Sequence, residues 1–202
     1  MKDSNREFDL IVFGATGFTG RLVAEYLHLS GAGGARWAIA GRNLDKLGKV
    51  RDELHLPAAV ALLNADAKDL ASMKSLVARA RCVITTVGPY QLYGEALATA
   101  CAEGGTDYVD LCGEPLWMAR MIDKLTPAAQ KSGARIVFSC GFDSIPFDLG
   151  VVYLQAESLK RFGAPLPEVR GRVARVKGTA SGGTLASMME TIEAVRREPG
   201  LI

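Results

Sequence analysis

Short apolar runs alternate with amphipathic segments along most of the chain. Apolar runs that end at glycine or polar residues are typical of buried strands, and they occur at residues 8–13, 37–40, 60–63, 82–87, 107–111 and 135–139. Apolar positions at helical spacing predict helices over residues 19–29, 44–54, 69–80, 93–103, 115–131 and 147–160. Six βα units with short connections indicate an α/β fold, with a doubly wound parallel sheet of the Rossmann type.

The pattern changes after Gly163. Pro165 and Pro167 predict a linker, and alternating apolar and basic residues over 169–177 predict a half-exposed strand. A last helical segment follows the Ser-Gly-Gly-Thr sequence at residues 181–184. One strand and one helix cannot enclose a core of their own. We therefore expect a Rossmann domain over residues 1–164 and the beginning of a truncated second domain, for substrate or catalysis, over residues 165–202.

Composition and charge exclude several classes of protein. The 202 residues include 24 Lys and Arg against 22 Asp and Glu, so no excess of positive charge favours nucleic-acid binding. The four cysteines show no C-x-x-C spacing, and we expect neither a metal site nor disulfides. Residues 1–9 are charged and lack the apolar core of a signal peptide, and no apolar run in the sequence is long enough to span a membrane. We expect a cytoplasmic protein, with peripheral membrane attachment left open.

The loop after the first predicted strand carries three evenly spaced glycines. We expect Gly14 to permit a tight turn, Gly17 to let a pyrophosphate approach the backbone, and Gly20 to let the next helix pack closely. The helix N-terminus then offers free N–H groups to phosphates. The alternative is a glycine-rich turn with no ligand, but the strand-to-helix position favours a dinucleotide site. The loop consists of Gly14, Ala15, Thr16, Gly17, Phe18, Thr19 and Gly20.

The end of the second predicted strand indicates which dinucleotide is bound. A site that prefers NAD carries Asp or Glu about 20 residues past the loop, to bind the ribose 2′-hydroxyl. This chain has Gly41, Arg42 and Asn43 there instead. A guanidinium can pair with a 2′-phosphate, so the position predicts NADP(H). The alternative is that Arg42 is a solvated surface residue.

Two further loops contribute candidate cofactor-binding residues. Asp66 follows the third predicted strand and is expected either to approach the adenine or to cap the next helix. The segment after the fourth predicted strand lies where the strand order of a doubly wound sheet reverses, so its backbone can line the ribose and Tyr90 can flank the nicotinamide. The alternative is a Gly-Pro turn with a packed tyrosine. This segment comprises Thr86, Val87, Gly88, Pro89 and Tyr90.

Five motifs together resemble those of a known family: GATGFTG at 14–20, AGRN at 40–43, TTVGPY at 85–90, DLCGE at 110–114 and CGFDSIP at 140–146. The combination resembles the saccharopine dehydrogenase-like oxidoreductases, and within them the trans-acting enoyl reductases of complex-lipid synthesis. The resemblance implies an NADP-binding Rossmann domain joined to a second α/β domain that completes the substrate pocket. Members of the family continue well past residue 202, and the further part normally returns to the first domain.

Candidate acid–base residues lie just past the predicted strand ends, on the edge of the sheet that binds ligands. They are Tyr90, Glu114, Asp143 and Ser144. Glu114 could instead stabilise a helix N-terminus, and Asp143 and Ser144 could be turn or cap residues. No tyrosine is followed four residues later by lysine, which argues against the Tyr-x-x-x-Lys mechanism of short-chain dehydrogenases.

These residues and the resemblance predict an NADPH-dependent oxidoreductase that reduces a C=C or carbonyl-type bond in a lipid or enoyl precursor. The alternatives are a non-catalytic NADP-binding module and an inactive truncated form that needs a partner. The expected partners are a small-molecule or lipid-precursor substrate, and either a second copy of the chain or a partner chain that supplies the missing second domain.

Overall fold

The computed structural model describes residues 6–178 and 181–197, which contain one six-stranded parallel sheet. The strand order is β3-β2-β1-β4-β5-β6, which reverses between β1 and β4 and confirms the predicted doubly wound sheet. The strands are β1 (Phe8–Phe13), β2 (Trp37–Gly41), β3 (Ala61–Asn64), β4 (Ala80–Thr85), β5 (Asp107–Val109) and β6 (Ile136–Val137).

Helices cover both faces of the sheet. The helices are α1 (Phe18–Leu29), α2 (Leu44–Glu53), α3 (Leu70–Val77), α4 (Tyr90–Tyr93), α5 (Glu95–Gly104), α6 (Pro115–Ser132), α7 (Ile145–Phe162) and α8 (Gly182–Arg197). Helices α1 and α2 pack on one face through a core that includes Val12, Ile39 and Leu47. Helices α3, α5 and α6 pack on the other face through a larger core that includes Tyr108 and Trp117.

The sheet face on which α1 and α2 pack is covered over only half of its width. Ile39, Val12, Ile84, Val109 and Val137 are neighbours in register, so their side chains form one row across that face. Ile39 and Val12 are fully buried, Ile84 and Val109 are partly buried, and Val137 is 45% exposed. Helices α1 and α2 therefore cover β1 and β2, whereas β4 to β6 remain open on this side.

Helix α7 also leaves apolar side chains exposed. Ser158 is its one buried residue among those described. The segment after the helix folds back on it, because the Gln155 side chain pairs with both backbone groups of Leu166 and Ser158 Oγ donates to the Ala164 carbonyl. The exposed large apolar residues of α7 are Ile145, Phe147, Leu149, Val151, Val152, Tyr153, Leu154, Leu159 and Phe162.

Several sequence predictions differ from the structure, including the shorter β5, β6 and α3. The predicted strand at 169–177 is wrong, since those residues pair with no strand in the described part of the chain. Strand β4 ends at Thr85 rather than at residue 87, because its register partner Phe13 is the last residue of β1. The helix predicted from residue 93 begins at Tyr90 and divides at Gly94, where the backbone lies against the Trp117 ring.

Among the described residues, no helix combines the length and the apolar character needed to cross a membrane.

The close packing of α1 on the turn after β1 yields a stability prediction. A Cβ atom added at Gly20 would lie 2.2 Å from the Gly14 carbonyl oxygen and 2.8 Å from the Ala15 Cα atom. Because backbone atoms cannot yield as a flexible side chain can, Gly20→Ala should lower the free energy of unfolding by about 2–3 kcal/mol, measured by urea denaturation. Gly48→Ala is the control, since a Cβ there meets nothing within 4 Å. That variant should be stabilised by about 0.5–1 kcal/mol. Equal stability of the two variants would contradict the packing argument.

Candidate cofactor and active site

A groove of about 260 Å³ lies at the carboxyl ends of the central strands. It spans the point where the strand order reverses, which is the usual ligand site of open parallel sheets. Loops that follow four strands contribute to it. The residues that line it are Phe13, Gly14, Thr16, Gly17, Gly41, Arg42, Asp66, Ala67, Lys68, Thr86, Val87, Gly88 and Tyr93.

The glycine loop forms the floor of the groove. Gly14 has a φ of +92°, and a Cβ atom there would lie 2.7 Å from Val87 Cγ2, so the turn requires glycine. Gly17 is the N-cap residue of α1, and it brings no side-chain acceptor to the first turn, which also contains no acidic residue. The N–H groups at the start of α1 are therefore open to an anion, and a pyrophosphate fits the loop.

The other loop residues lie around this floor. Gly14, Thr16 and Gly17 line the groove, while Ala15 is buried in the core beneath α1. Phe18 is 70% exposed, Thr19 is partly buried, and Gly20 is buried against the turn. The seven residues thus divide between those that face the groove and those that fix its shape.

Arg42 lines the groove and is an exposed residue. No ion pair joins it to any residue in the described part of the chain. Its carbonyl accepts a hydrogen bond from Asn64 Nδ2 at 3.0 Å, which connects the ends of β2 and β3. Gly41 lines the groove as well, but Asn43 caps α2, with its Oδ1 accepting from the Lys46 N–H at 2.9 Å. Arg42 is thus placed to meet a charged ligand.

Asp66 lines the groove, and it does not cap α3. Asp66 Oδ1 accepts from the Lys68 N–H at 3.0 Å within the loop. The cap of α3 is Asp69, whose Oδ1 accepts from the Ala71 N–H at 2.9 Å. The helix-cap alternative for Asp66 is therefore wrong, and its approach to an adenine stays a prediction.

Lys68 and Tyr93 line the groove but are absent from the candidates taken from the sequence. The Lys68 ammonium lies 5.5 Å from the centre of the Tyr93 ring, a cation–π contact between the β3 and β4 loops. Lys68 lies two residues after Asp66, just past the carboxyl end of β3. The rule that ligands bind at the carboxyl edge of a parallel sheet could therefore have identified it. Tyr93 is the first residue of the helix predicted over 93–103, whereas in the structure it ends the short helix α4, and the pattern gives no sign that it faces the groove.

Beyond β4 the chain turns away from the groove. Thr86, Val87 and Gly88 line it, and Thr86 Oγ1 donates to the Gly14 carbonyl at 3.3 Å. A cis peptide bond joins Gly88 to Pro89, which is buried. Tyr90 does not line the groove, although it lines a second cavity beside it.

The Tyr90 side chain is packed inside the protein. Its hydroxyl donates to the Thr85 carbonyl at 3.3 Å and accepts from the Leu111 N–H at 3.4 Å. Its ring centre lies 5.6 Å from that of Trp117. Burial, together with the nearby Asp110 carboxyl, raises the pKa of Tyr90 far above its ordinary value. This placement agrees with the packed-tyrosine alternative.

The second cavity, of about 590 Å³, meets this groove at Thr86 and Gly88. One wall comes from the β5 and β6 loops, and the other comes from α8 and the serine before it. The remaining residues that line it are Tyr90, Leu111, Gly113, Gly141, Phe142, Asp143, Ser181, Gly183, Thr184, Ser187, Met188, Thr191 and Ile192.

Glu114, Asp143 and Ser144 occupy different positions relative to this cavity. Glu114 is 1% exposed and stabilises a helix N-terminus, but that of α4 rather than of α6, where it precedes Pro115. Asp143 is exposed and lines the cavity. Ser144 is the N-cap residue of α7 with no side-chain cap bond, and it lines neither cavity. Asp143 is thus the one acidic candidate of the three that faces a cavity.

Asp110 organises the floor of the second cavity, although its own side chain is buried. Its carboxyl accepts from the Tyr108 hydroxyl at 2.7 Å and from the backbone N–H groups of Cys112 and Ser139 at 3.0 and 2.8 Å. Burial raises its pKa above the ordinary value. Asp110 therefore joins the ends of β5 and β6. A lone acid at the end of an apolar strand is the signal that could have identified it.

Comparison with known families agrees with this geometry. Residues 10–137 match the family model described as the saccharopine dehydrogenase NADP-binding domain. The match includes the glycine loop, Arg42 and the β4 loop, and it supports the predicted NADP(H) cofactor. Saccharopine dehydrogenase (L-Glu forming) from Saccharomyces cerevisiae has a similar fold, with a TM-score of 0.59 at 17% identity over 76% of this chain and 32% of that one.

Named relatives align with nearly the whole chain. A Mycobacterium tuberculosis protein with a provisional trans-acting enoyl reductase name is 44% identical over 200 residues, which cover 98% of this chain and 48% of the relative. The trans-acting enoyl reductase of Mycobacterium bovis is 42% identical over 202 residues, with the same coverage. This chain spans about half the length of these curated relatives. On the family match and these identities, the chain belongs to the saccharopine dehydrogenase-like family with an NADP-binding domain.

Proposed function

We propose that this chain is part of an NADPH-dependent oxidoreductase that reduces a C=C or carbonyl-type bond in a lipid or enoyl precursor. The observation that carries the proposal is the junction of the two cavities at Thr86 and Gly88, where a cofactor in the groove would meet a substrate in the second cavity. The trans-acting enoyl reductase names of the relatives support this reaction class.

The groove supports a specific orientation of the dinucleotide. The pyrophosphate would bind the open N–H groups at the start of α1, above Gly14 and Gly17. The 2′-phosphate would pair with Arg42, and Lys68 would supply a second positive charge from the neighbouring loop after β3. The adenine would lie by Asp66 and Ala67. The nicotinamide end would then lie toward the second cavity, past Thr86, Val87 and Gly88.

The second cavity supports the substrate half of the reaction. NADPH, when bound, supplies hydride to an electron-poor carbon. Leu111, Phe142, Met188 and Ile192 would exclude water and suit an apolar acyl group. Asp143, which is exposed to this cavity, is the best-placed residue to hold a proton for the product.

The other three acid–base candidates occupy positions that suit a structural role better than a chemical one. The Tyr90 hydroxyl is bonded to backbone groups, and Glu114 is bonded to two backbone N–H groups and a serine. Ser144 lines neither cavity, and its carbonyl accepts from N–H groups of α7. We therefore assign Tyr90, Glu114 and Ser144 structural roles around the site, and Asp143 the acid–base role.

A second candidate function is an NADP(H)-binding module that acts only with additional polypeptide. The open half of the sheet face and the exposed apolar side of α7 favour it, since large apolar surfaces on a protein usually mark an interaction site. Residues 169–177 carry a strand pattern without a strand partner in the described part of the chain, which agrees with a second domain that starts near residue 165. That polypeptide would be a further domain or a second copy of the chain.

NADPH oxidation by the chain alone distinguishes the two functions. With α,β-unsaturated acyl thioesters, the catalytic proposal predicts substrate-dependent loss of NADPH absorbance. Asp143→Asn should lower kcat at least about tenfold with little change in NADPH affinity, because the proton donor is lost. Asp148→Asn, an exposed acid in the first turn of α7, is the matched control and should keep full activity. NADPH binding without turnover in the wild type would favour the binding module instead.

The assignment of Arg42 predicts a change in cofactor preference. Arg42→Asp should weaken NADPH binding at least about tenfold, since a charge-assisted contact is lost and a repulsive carboxylate is introduced. NADH binding should change much less, because NADH lacks the 2′-phosphate. Titration by cofactor fluorescence measures both affinities. Lys49→Asp, an exposed residue of α2 outside the groove, controls for the change in net charge. Unchanged NADPH affinity in Arg42→Asp would exclude the 2′-phosphate contact.

A further inference from the structure

Glu114 is a buried carboxyl that joins two separate parts of the site, α4 and α8. Its Oε1 accepts from the Tyr90 N–H at 2.8 Å and from Ser187 Oγ at 2.7 Å, and its Oε2 accepts from the Gln91 N–H at 2.9 Å. No cation pairs with it in the described part of the chain. Burial of a carboxyl is costly unless hydrogen bonds satisfy it, so these three donors hold Glu114 in one position.

Two of the donors, the N–H groups of Tyr90 and Gln91, belong to α4, which follows the groove-lining loop of residues 86–88. Helix α4 starts at Tyr90, and its N-cap residue Pro89 has no side-chain acceptor to offer. Glu114 supplies the missing cap from a position 24 residues away in the sequence. The same short helix ends at Tyr93, which lines the groove and contacts Lys68. Glu114 therefore fixes the segment that follows Gly88.

The remaining donor, Ser187 Oγ, belongs to α8, which forms one wall of the second cavity. None of the described residues of α8 is buried, so apolar packing holds this helix weakly. Within residues 6–178 and 181–197, the Ser187–Glu114 bond is the hydrogen bond that connects α8 to the sheet and its flanking helices. Ser187 also lies beside Gly88, since a Cβ atom at Gly88 would be 3.7 Å from Ser187 Oγ.

We propose that Glu114 is a positioning residue that couples the two cavities. Through Tyr90, Gln91 and Ser187, it holds α4, with the loop of residues 86–88 before it, and α8 in one arrangement, so that cofactor binding orders the wall of the substrate cavity. The inference rests on the proposed function for the identity of the two cavities. Because coupling is reciprocal, a ligand in the second cavity would equally strengthen cofactor binding.

Amide hydrogen exchange of the whole chain, with and without NADPH, tests the coupling. In the wild type, NADPH should slow exchange in residues 14–20 and also in residues 182–197. In Ser187→Ala the slowing at 14–20 should persist, while the slowing at 182–197 should fall at least about fivefold, because the bond to Glu114 is lost. Ser187→Thr keeps a hydroxyl and should restore it. Met189→Ala, which removes an exposed side chain of α8 outside the cavity, should behave as the wild type.

The protein without ligand provides a measurement that does not depend on the proposed function. Glu114→Gln should speed exchange at both 90–94 and 182–197, and Ser187→Ala should speed it at 182–197, each at least about fivefold. If NADPH slows exchange nowhere but these changes occur, the proposed cofactor function fails while the positioning role of Glu114 stands. Equal exchange of α8 in the wild type and Ser187→Ala, with and without NADPH, would overturn the inference.

Discussion

The site depends on the contact between Gly20 and the Gly14 carbonyl oxygen. The first turn of α1 lies so close to the turn after β1 that a single methyl group would meet backbone atoms at 2.2 Å. This contact places the start of α1 directly at the carboxyl edge of the sheet. The N–H groups of its first turn then face the groove, where an anion can satisfy them. A larger residue at position 20 would move the helix and the phosphate site together.

Buried carboxyl groups organise the opposite side of the site. Asp110 joins the ends of β5 and β6, and Glu114 joins α4 to α8. Each accepts three hydrogen bonds, which compensate for the loss of water around the carboxyl group. Their bonds to backbone N–H groups fix the segments after β4, β5 and β6. The cofactor groove is thus shaped by glycines, whereas the second cavity is shaped by buried acids.

The sequence could predict those features that depend on local pattern. The strands were predictable because apolar runs end at glycine or polar residues, and the position of Arg42 followed from the spacing of a βα unit. The strand at 169–177 was wrong because alternation shows that a segment can pair, but not that a partner strand exists. The cap on α4 was unpredictable, since Glu114 lies far along the chain and next to a different helix, α6. Lys68 and Tyr93 meet across the groove only in the folded protein.

The central claim is that the groove binds NADP(H) and distinguishes it from NAD(H) through the 2′-phosphate. A thermal-shift titration of the chain with NADPH and NADH tests this most directly, because a ligand that binds the native state must stabilise it. At one hundred times its Kd, NADPH should add about 2.7 kcal/mol, which corresponds to a rise in Tm of about 5–10 °C. NADH at the same concentration should raise the Tm far less. An equal rise with both cofactors, or no rise with NADPH at millimolar concentration, would contradict the account.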